Sequence, residues 1–549
     1  MKQMLKTVFF FELIAVLLIT AGVLPREFSY FITALILIYF LGAEIIDSLV
    51  LTILSIPLFL ALPISDLYDS MANWRIILTA LFLIWAVRAN FFQKKFFSKS
   101  SLELWIVVFV LAAFFSLVGS VNAAIGFKKI LFLGNIFLLF TITRGIVKNK
   151  ESFLRILKAG VAAAILTLAI GYAQLISVFF YSLYQFWQFW AENAIYALYG
   201  DRLAQLLSYS NTWFSYYSGD IPPTLRMFSV FPDSHSFALF NIILIPLALS
   251  LAWHYKTNGK KYNFAACCFL IILMLLAILF SGSRGAWISA ITPLIIILFL
   301  ARRRKINPFE AAANNDLIQN SNTPEGQAYG AGKYQKYKSK TKKLINYLFS
   351  KKLGIITTSI ILFFALFPAS SVILEQSQKA EWRRANAGGE MSSSVVFKRF
   401  KSIADLEEIS NKGRIKIWKD TLKSIKNYPL LGVGIGNFPV VLGQNVSAAK
   451  KGASAHNLFL DIAAETGILG LFAFLAIFYE ILKTAFGILK SSQGEFYKFF
   501  ALSFGVYLFW ILGYSLFDVV LFNDKVLMMF VIGVGLLYGI KGIETKATD

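Results

Sequence analysis

Apolar runs of roughly 17–23 residues, the length that crosses the hydrocarbon core of a bilayer, recur along this 549-residue chain. Inside lipid every peptide N–H and C=O must find a partner within the protein, so such a chain is confined to spanning helices or a closed barrel. Barrel strands read as segments of about ten residues that alternate apolar and polar side chains, whereas Ile271–Phe280 and Leu527–Ile540 are apolar on every face. The chain therefore reads as all-α, a polytopic integral membrane protein. Candidate spans fall at 8–24, 28–45, 47–63, 74–92, 102–119, 128–143, 154–183, 234–253, 263–281, 285–300, 353–373, 457–485, 497–518 and 524–540, about fourteen transmembrane helices. The first follows Lys2 and Lys6 but has no small-residue cleavage site after it, so it is expected to span and not to be a removed signal peptide.

A formal net charge of +23 would point to nucleic acid if the basic residues shared one face. They cluster instead in short loops between apolar runs, at 94–99, 144–158, 256–261, 302–305, 483–490 and Lys541. Short Lys/Arg-rich loops stay in the cytoplasm, and placing these there makes the spans alternate consistently with both termini inside. The expected partner of the charge is the bilayer, with no nucleic acid. Residues 1–300 then form N-terminal transmembrane helices with an outer loop near 184–233, whose Trp/Tyr-rich "YQFWQFWAENAIYALYG" suits segments lying at the interface. Residues 301–345 are polar, Asn/Gly-rich and basic, and are expected to be a disordered cytoplasmic loop near anionic lipid. A transmembrane helix at 353–373, a large outer loop at 374–455 and C-terminal transmembrane helices at 456–540 complete the plan. The large loop is basic although it lies outside; loops beyond about sixty residues cross regardless of charge, and the excess fits an anionic ligand.

Cys267 and Cys268 are adjacent within one apolar run, where disulfide geometry is poor, so neither a disulfide framework nor a metal site is expected. No phosphate-cradling glycine loop and no internal repeat are apparent, which argues against a nucleotide-driven pump. A transporter or flippase would carry polar or broken helices near the midplane of several spans, whereas here the ionisable residues concentrate at the outer ends.

Five of those residues stand out. Arg284, in "SGSRGAWIS", lies at the outer end of a span between two glycines; it is either a snorkelling anchor or a bidentate clamp for phosphate oxygens. Arg226, in "TLRMFSVFPDSHSFALF", closes the first outer loop, with Pro232 and Asp233 turning the chain into a helix and His235 near its start. Arg414 begins an amphipathic helix in the large loop, with Trp418 at i+4 and Ile417, Leu422 and Ile425 as its apolar stripe; the "GVGIGN" that follows could bring backbone amides to a ligand. His456 opens "HNLFLDIAAETGILGLF", where Asn457 can cap the helix and Asp461 and Glu465 follow at i+5 and i+9. An outward imidazole is neutral near pH 7 and can accept a proton. Outward arginines with one such base are equipment for chemistry on a diphosphate-linked substrate.

The segments "SGSRGAWIS", "GRIKIWKDTLKSIKNYPLLGVGIGNF" and "AHNLFLDIAAETGILGLFAF", in that order with a large outer loop between the first and last, resemble the O-antigen ligase and polymerase superfamily of bacterial envelope membrane proteins. The resemblance implies a membrane-embedded, GT-C-like glycosyltransferase of the bacterial inner membrane, inverting and free of metal or other cofactor, with its active site and large loop in the periplasm. It implies an undecaprenyl-diphosphate-linked glycan as donor and, in a ligase, lipid A-core as acceptor; a repeat-unit polymerase is the alternative within the superfamily. Carried onto this chain, the diphosphate-binding residues are Arg284, Arg414 and Arg226, the catalytic base is His456, and Glu465 and His235 are supporting groups. The chain departs in its extra N-terminal helices and its long cytoplasmic loop.

Overall fold

Trp74–Arg88, Phe28–Gly42 and Ile45–Ser55 are helices of 15, 15 and 11 residues, where spans are expected at 74–92, 28–45 and 47–63. Pro57 sits in the short 3-10 turn Ile56–Leu58 that ends the third of these, and a two-stranded ribbon, Ala61–Leu62 against Met71–Ala72, follows it. Arg88, in the last turn of the first, donates to the carbonyls of Ala43 (2.6 Å) and Leu41 (2.6 Å), which the end of Phe28–Gly42 leaves without intrahelical partners. The computed structural model describes residues 2–65, 69, 71–90, 101–208, 212–215, 223–299, 351–385, 409–446, 453–491 and 494–546. Among these, ten helices are long and apolar enough to cross a membrane, and Phe28–Gly42, Ile45–Leu58 and Arg284–Phe299 are shorter apolar helices. The cytoplasmic loop expected at 301–345 lies outside the described residues.

Ser234–Thr257 is the axis of the bundle: 94% of its apolar stretch is buried. Lys150–Ser177, Lys261–Phe280, Glu495–Tyr514 and Asp524–Lys546 pack around it. Gln3–Thr20, Ser101–Gly119 and Ala123–Ile146 bury far less and leave their apolar flanks outward, as lipid-facing helices do. Three charge pairs lie within the apolar mass, where an isolated charge is costly: Arg155 with Asp47, Arg144 with Glu103, and Lys129 with Glu465 at 2.6 Å.

The helix expected at 353–373 runs further, as Lys351–Ala365 and then Phe367–Ala385, so residues 374–385 are helical and not open loop. In the rest of the large loop, the helix carrying Arg414 starts earlier than expected and covers Ile409–Asn427. Ile417 and Ile425 pack on Phe438, Ala455 and Ala464, but Leu422 is 56% exposed and Thr421 is buried in its place, which corrects the apolar stripe.

Leu458–Lys490 is broken at Gly467, whose φ of 71° and ψ of −176° are outside helical space. Its 33 residues would extend roughly 50 Å at 1.5 Å each, more than a bilayer core needs, and Ile468–Lys490 alone still reaches roughly 34 Å. The break thus frees Leu458–Thr466 as a separate short helix. It also strips carbonyls of their partners, and the glycine turn supplies them: Val433 N–H donates to Ala464 O (2.8 Å) and Gly434 N–H to Glu465 O (3.0 Å). Ile435 N–H donates to Ser116 Oγ at 3.0 Å, and Asn437 exchanges two hydrogen bonds with Asn122. The expectation that "GVGIGN" offers its amides to a ligand is therefore corrected: these three amides are taken up in docking the loop onto the bundle.

A Cβ at residue 467 would run into the Leu430 carbonyl oxygen, and its backbone would be strained besides. Gly467→Ala should cost about 2 kcal/mol or more and lower the thermal unfolding midpoint in detergent by several degrees. An unchanged midpoint would show that the break is not built into the fold.

Candidate functional site

Asp233 caps the axial helix, accepting from Ser236 N–H at 2.6 Å, and so sets where that helix begins. His235 thereby stands in its first turn. Its Nδ1 lies 2.9 Å from Ser283 Oγ and 3.2 Å from Tyr514 Oη, with the Asp518 carboxylate at 3.7 Å. Ser283 Oγ and Tyr514 Oη are 2.6 Å apart, and Ser283 caps the helix that Arg284 starts. One imidazole thus ties together the ends of three helices.

Arg226 reaches the same place along an extended segment held by Arg226 N–H to Trp213 O (2.8 Å) and Met227 N–H to Phe280 O (3.0 Å). Its stem crosses Gly282, where a Cβ would stand 3.3 Å from Arg226 Cγ and Nε; φ at Gly282 is +63°. A glycine is required there both for the backbone and for the approach.

The guanidinium groups of Arg226, Arg284 and Arg414 and the imidazole of His456 all lie within electrostatic range of His235. Arg414 also acts on Asp518 and on His456. The structure therefore brings together five residues drawn from three distant parts of the chain. Two carboxyl groups border them. Burial pushes Asp518 up to about 6, opposed by the Val519 N–H it accepts and by Arg414; burial also pushes Asp233 up to about 6. Near pH 7 both are still mostly ionised, so two carboxylates border three guanidinium groups and the basin keeps a net positive charge.

His456 is held by its flanks. Ala455 N–H donates to Asp461 Oδ1 (2.9 Å), and Ala455 O accepts from the Trp418 indole N–H (2.9 Å). Asn457 caps the following helix through Phe459 N–H and Leu460 N–H, both at 3.1 Å, while Leu458 N–H donates to Ser515 O. Between these ties His456 has a φ of 49°, a left-handed conformation uncommon outside glycine. Its Nδ1 is buried with no hydrogen-bond partner among the described residues. Burial, and after it the charge of Arg414, pull its pKa down to about 4. The ring is neutral at pH 7 with a lone pair to offer.

Glu465 is turned elsewhere. Its carboxylate pairs with Lys129 of the Ala123–Ile146 helix, and the Asp461 side chain holds the backbone of Ala455; neither is hydrogen-bonded to the His456 ring among the described residues. Reading the sequence missed Ser283, Tyr514, Asp518 and Lys129. Ser283 carried a signal as a cap residue before a helix, whereas Tyr514 and Asp518 lie in or beside an apolar run with no pattern around them.

Residues 269–475 match the family described as O-antigen ligase, a stretch that contains Arg284, Arg414 and His456. The match covers less than half of the chain and supports the O-antigen ligase and polymerase superfamily, and it goes with the ten apolar helices long enough to cross a membrane. No curated protein matches the chain.

Because the folded-state pKa of His456 lies below the ordinary 6.5, the unfolded chain binds that proton more tightly. The site therefore lowers stability as pH falls from about 6.5 toward 4 and has no effect above that window. In ¹⁵N-histidine NMR, the resonance that disappears in His456→Gln should titrate near pH 4. A midpoint near 6.5 would contradict the buried, arginine-flanked setting.

Proposed function

We propose that this chain, whose residues 269–475 belong to the O-antigen ligase and polymerase superfamily, is a ligase that moves a glycan from undecaprenyl diphosphate to a sugar hydroxyl of lipid A-core. The observation that carries the reading is the convergence of Arg226, Arg284, Arg414 and His456 around His235 at one end of the bundle. We place that end at the periplasmic face of the bacterial inner membrane, with both termini cytoplasmic, residues 374–455 outside and residues 301–345 inside, from the asymmetry of the basic loops.

In the reaction, the acceptor hydroxyl oxygen forms a bond to the anomeric carbon as the bond from that carbon to the diphosphate oxygen breaks. The diphosphate leaves with the electron pair, and charge grows on its bridging oxygen. Guanidinium groups aimed there stabilise the transition state more than the ground state. The hydroxyl proton passes to neutral His456. Burial, and after it the charge of Arg414, holds the pKa of the resting imidazole at about 4 and makes it a weak base; a diphosphate lying against Arg414 offsets the second of these, so the base strengthens when donor is bound. Attack opposite the leaving diphosphate inverts the anomeric centre. No metal enters the scheme, because arginines occupy the role of countering the diphosphate charge.

Purified protein in liposomes, given lipid-linked glycan and either core lipid or a second lipid-linked unit, tests the reading. Glycan should appear on the core lipid, with EDTA leaving the rate unchanged; growth on the polyprenyl carrier would overturn the ligase in favour of a polymerase. Arg284→Ala and Arg414→Ala should lose well over about tenfold, with lysine a partial rescue because it lacks the bidentate fork. His456→Ala should lose at least about a hundredfold while still binding donor. Full activity of Arg284→Ala or His456→Ala in correctly inserted protein would refute that residue's role.

A further inference from the structure

We infer that Trp418 is a positioning residue for the transfer: its indole holds the peptide beside His456 against the helix that carries Arg414. This rests on the reading of His456 as the base.

Trp418 and Arg414 are one helical turn apart on Ile409–Asn427, so they share a face. From that face the indole N–H donates to Ala455 O at 2.9 Å, the carbonyl of the peptide that enters His456. On the other side of Ala455, its N–H is held by Asp461 Oδ1 at 2.9 Å. Ala455 is completely buried, and Ile417 and Ile425 of the arginine helix pack on the small cluster it belongs to. Both polar groups of this residue are thus fixed by side chains from two different helices.

Directly after it comes the left-handed backbone of His456, and a non-glycine residue stays in that region only where its surroundings over-determine it. The remaining ties at His456 are its own N–H to Ser454 Oγ at 3.3 Å, a long bond, and the cap made by Asn457. Beside the apolar packing of Ile417 and Ile425, the indole bond is the directional contact among the described residues that joins the imidazole's backbone to the cation's helix. It sets the spacing between the proton acceptor and the charge that binds the leaving group, a spacing that a transfer reaction needs to within a fraction of an ångström.

A merely structural bond would behave differently. Trp418→Phe keeps the ring and loses the donor. In the liposome assay with lipid-linked glycan and core lipid, kcat should fall about ten- to a hundredfold with donor KM unchanged, in protein that inserts and folds with a somewhat lowered thermal midpoint. Asp461→Asn, which can still accept from Ala455 N–H, should retain more activity than Asp461→Ala. Placed in a His456→Ala background, Trp418→Phe should add no further loss, since the group it positions is gone. Wild-type kcat in Trp418→Phe, an equal loss in both backgrounds, or a raised donor KM with unchanged kcat would overturn the assignment; the last would show that the tie serves Arg414 alone. If Trp418→Phe fails to insert, the order of the two Asp461 variants decides, and equal losses there reject the clamp. The base reading fails separately, by an active His456→Ala, whereas an inactive His456→Ala with an undisturbed Trp418→Phe rejects only the positioning role.

Discussion

Two carbonyls released by a broken helix hold the architecture of the site together. In an apolar bundle an unpartnered carbonyl is costly, so the break at Gly467 can exist only where outside donors meet Ala464 O and Glu465 O. Val433 and Gly434 are those donors, and they can come close enough because Gly432 and Gly434 have positive φ and no side chain. The same turn is clasped by Asn122 and Ser116 on the far side. In consequence the loop that carries Arg414 and the helix that begins with His456 are one rigid junction, and the short helix Leu458–Thr466 takes its direction from that junction instead of from the span below.

Electrostatics then works against the grain of the bundle. Elsewhere in the described residues several cations are paired with carboxylates, as in Lys129 with Glu465 and Arg155 with Asp47. Around His235 three guanidinium groups gather with the bordering carboxyls of Asp518 and Asp233, three positive charges against two negative ones. An excess of positive charge at this depth is stabilised most simply by an anion from outside the chain, which is what a lipid diphosphate would bring. The neutral His456 belongs to the same arrangement, since burial, and after it the charge of Arg414, keeps the imidazole unprotonated and available to take a proton later.

Much of this was legible in the sequence, for reasons that can be named. The helices were readable because apolar length has one cheap solution in lipid, and Arg226, Arg284, Arg414, His235 and His456 were readable because polar groups at span ends are few. Asp233 and Asn457 were recognisable as caps by residue type and place, and the structure has both in that role. What could not be read were relations across the chain. Glu465, a supporting group by the resemblance, follows His456 at i+9, and nothing in that spacing shows that its carboxylate pairs with a lysine on the Ala123–Ile146 helix. The glycine turn looked like a ligand cradle because its amides seemed idle; the helix break that uses them is invisible without knowing that Gly467 faces Leu430. Leu422 followed helical periodicity, yet Thr421 is the buried residue, because the surface it meets is set by Phe438 and Ala455. Composition also does not register where a helix stops, as at the turn with Pro57 that follows Ile45–Ser55.

The central claim is that the cations around His235 hold a lipid diphosphate beside His456. It is tested most directly by electron cryomicroscopy of the full chain in nanodiscs with a non-transferable diphosphate-linked lipid. The account predicts phosphate density within reach of Arg226, Arg284 and Arg414, with the first sugar's anomeric carbon turned toward His456. Density for the diphosphate at any other place on the protein, with the arginine basin unoccupied at saturating lipid, would contradict it.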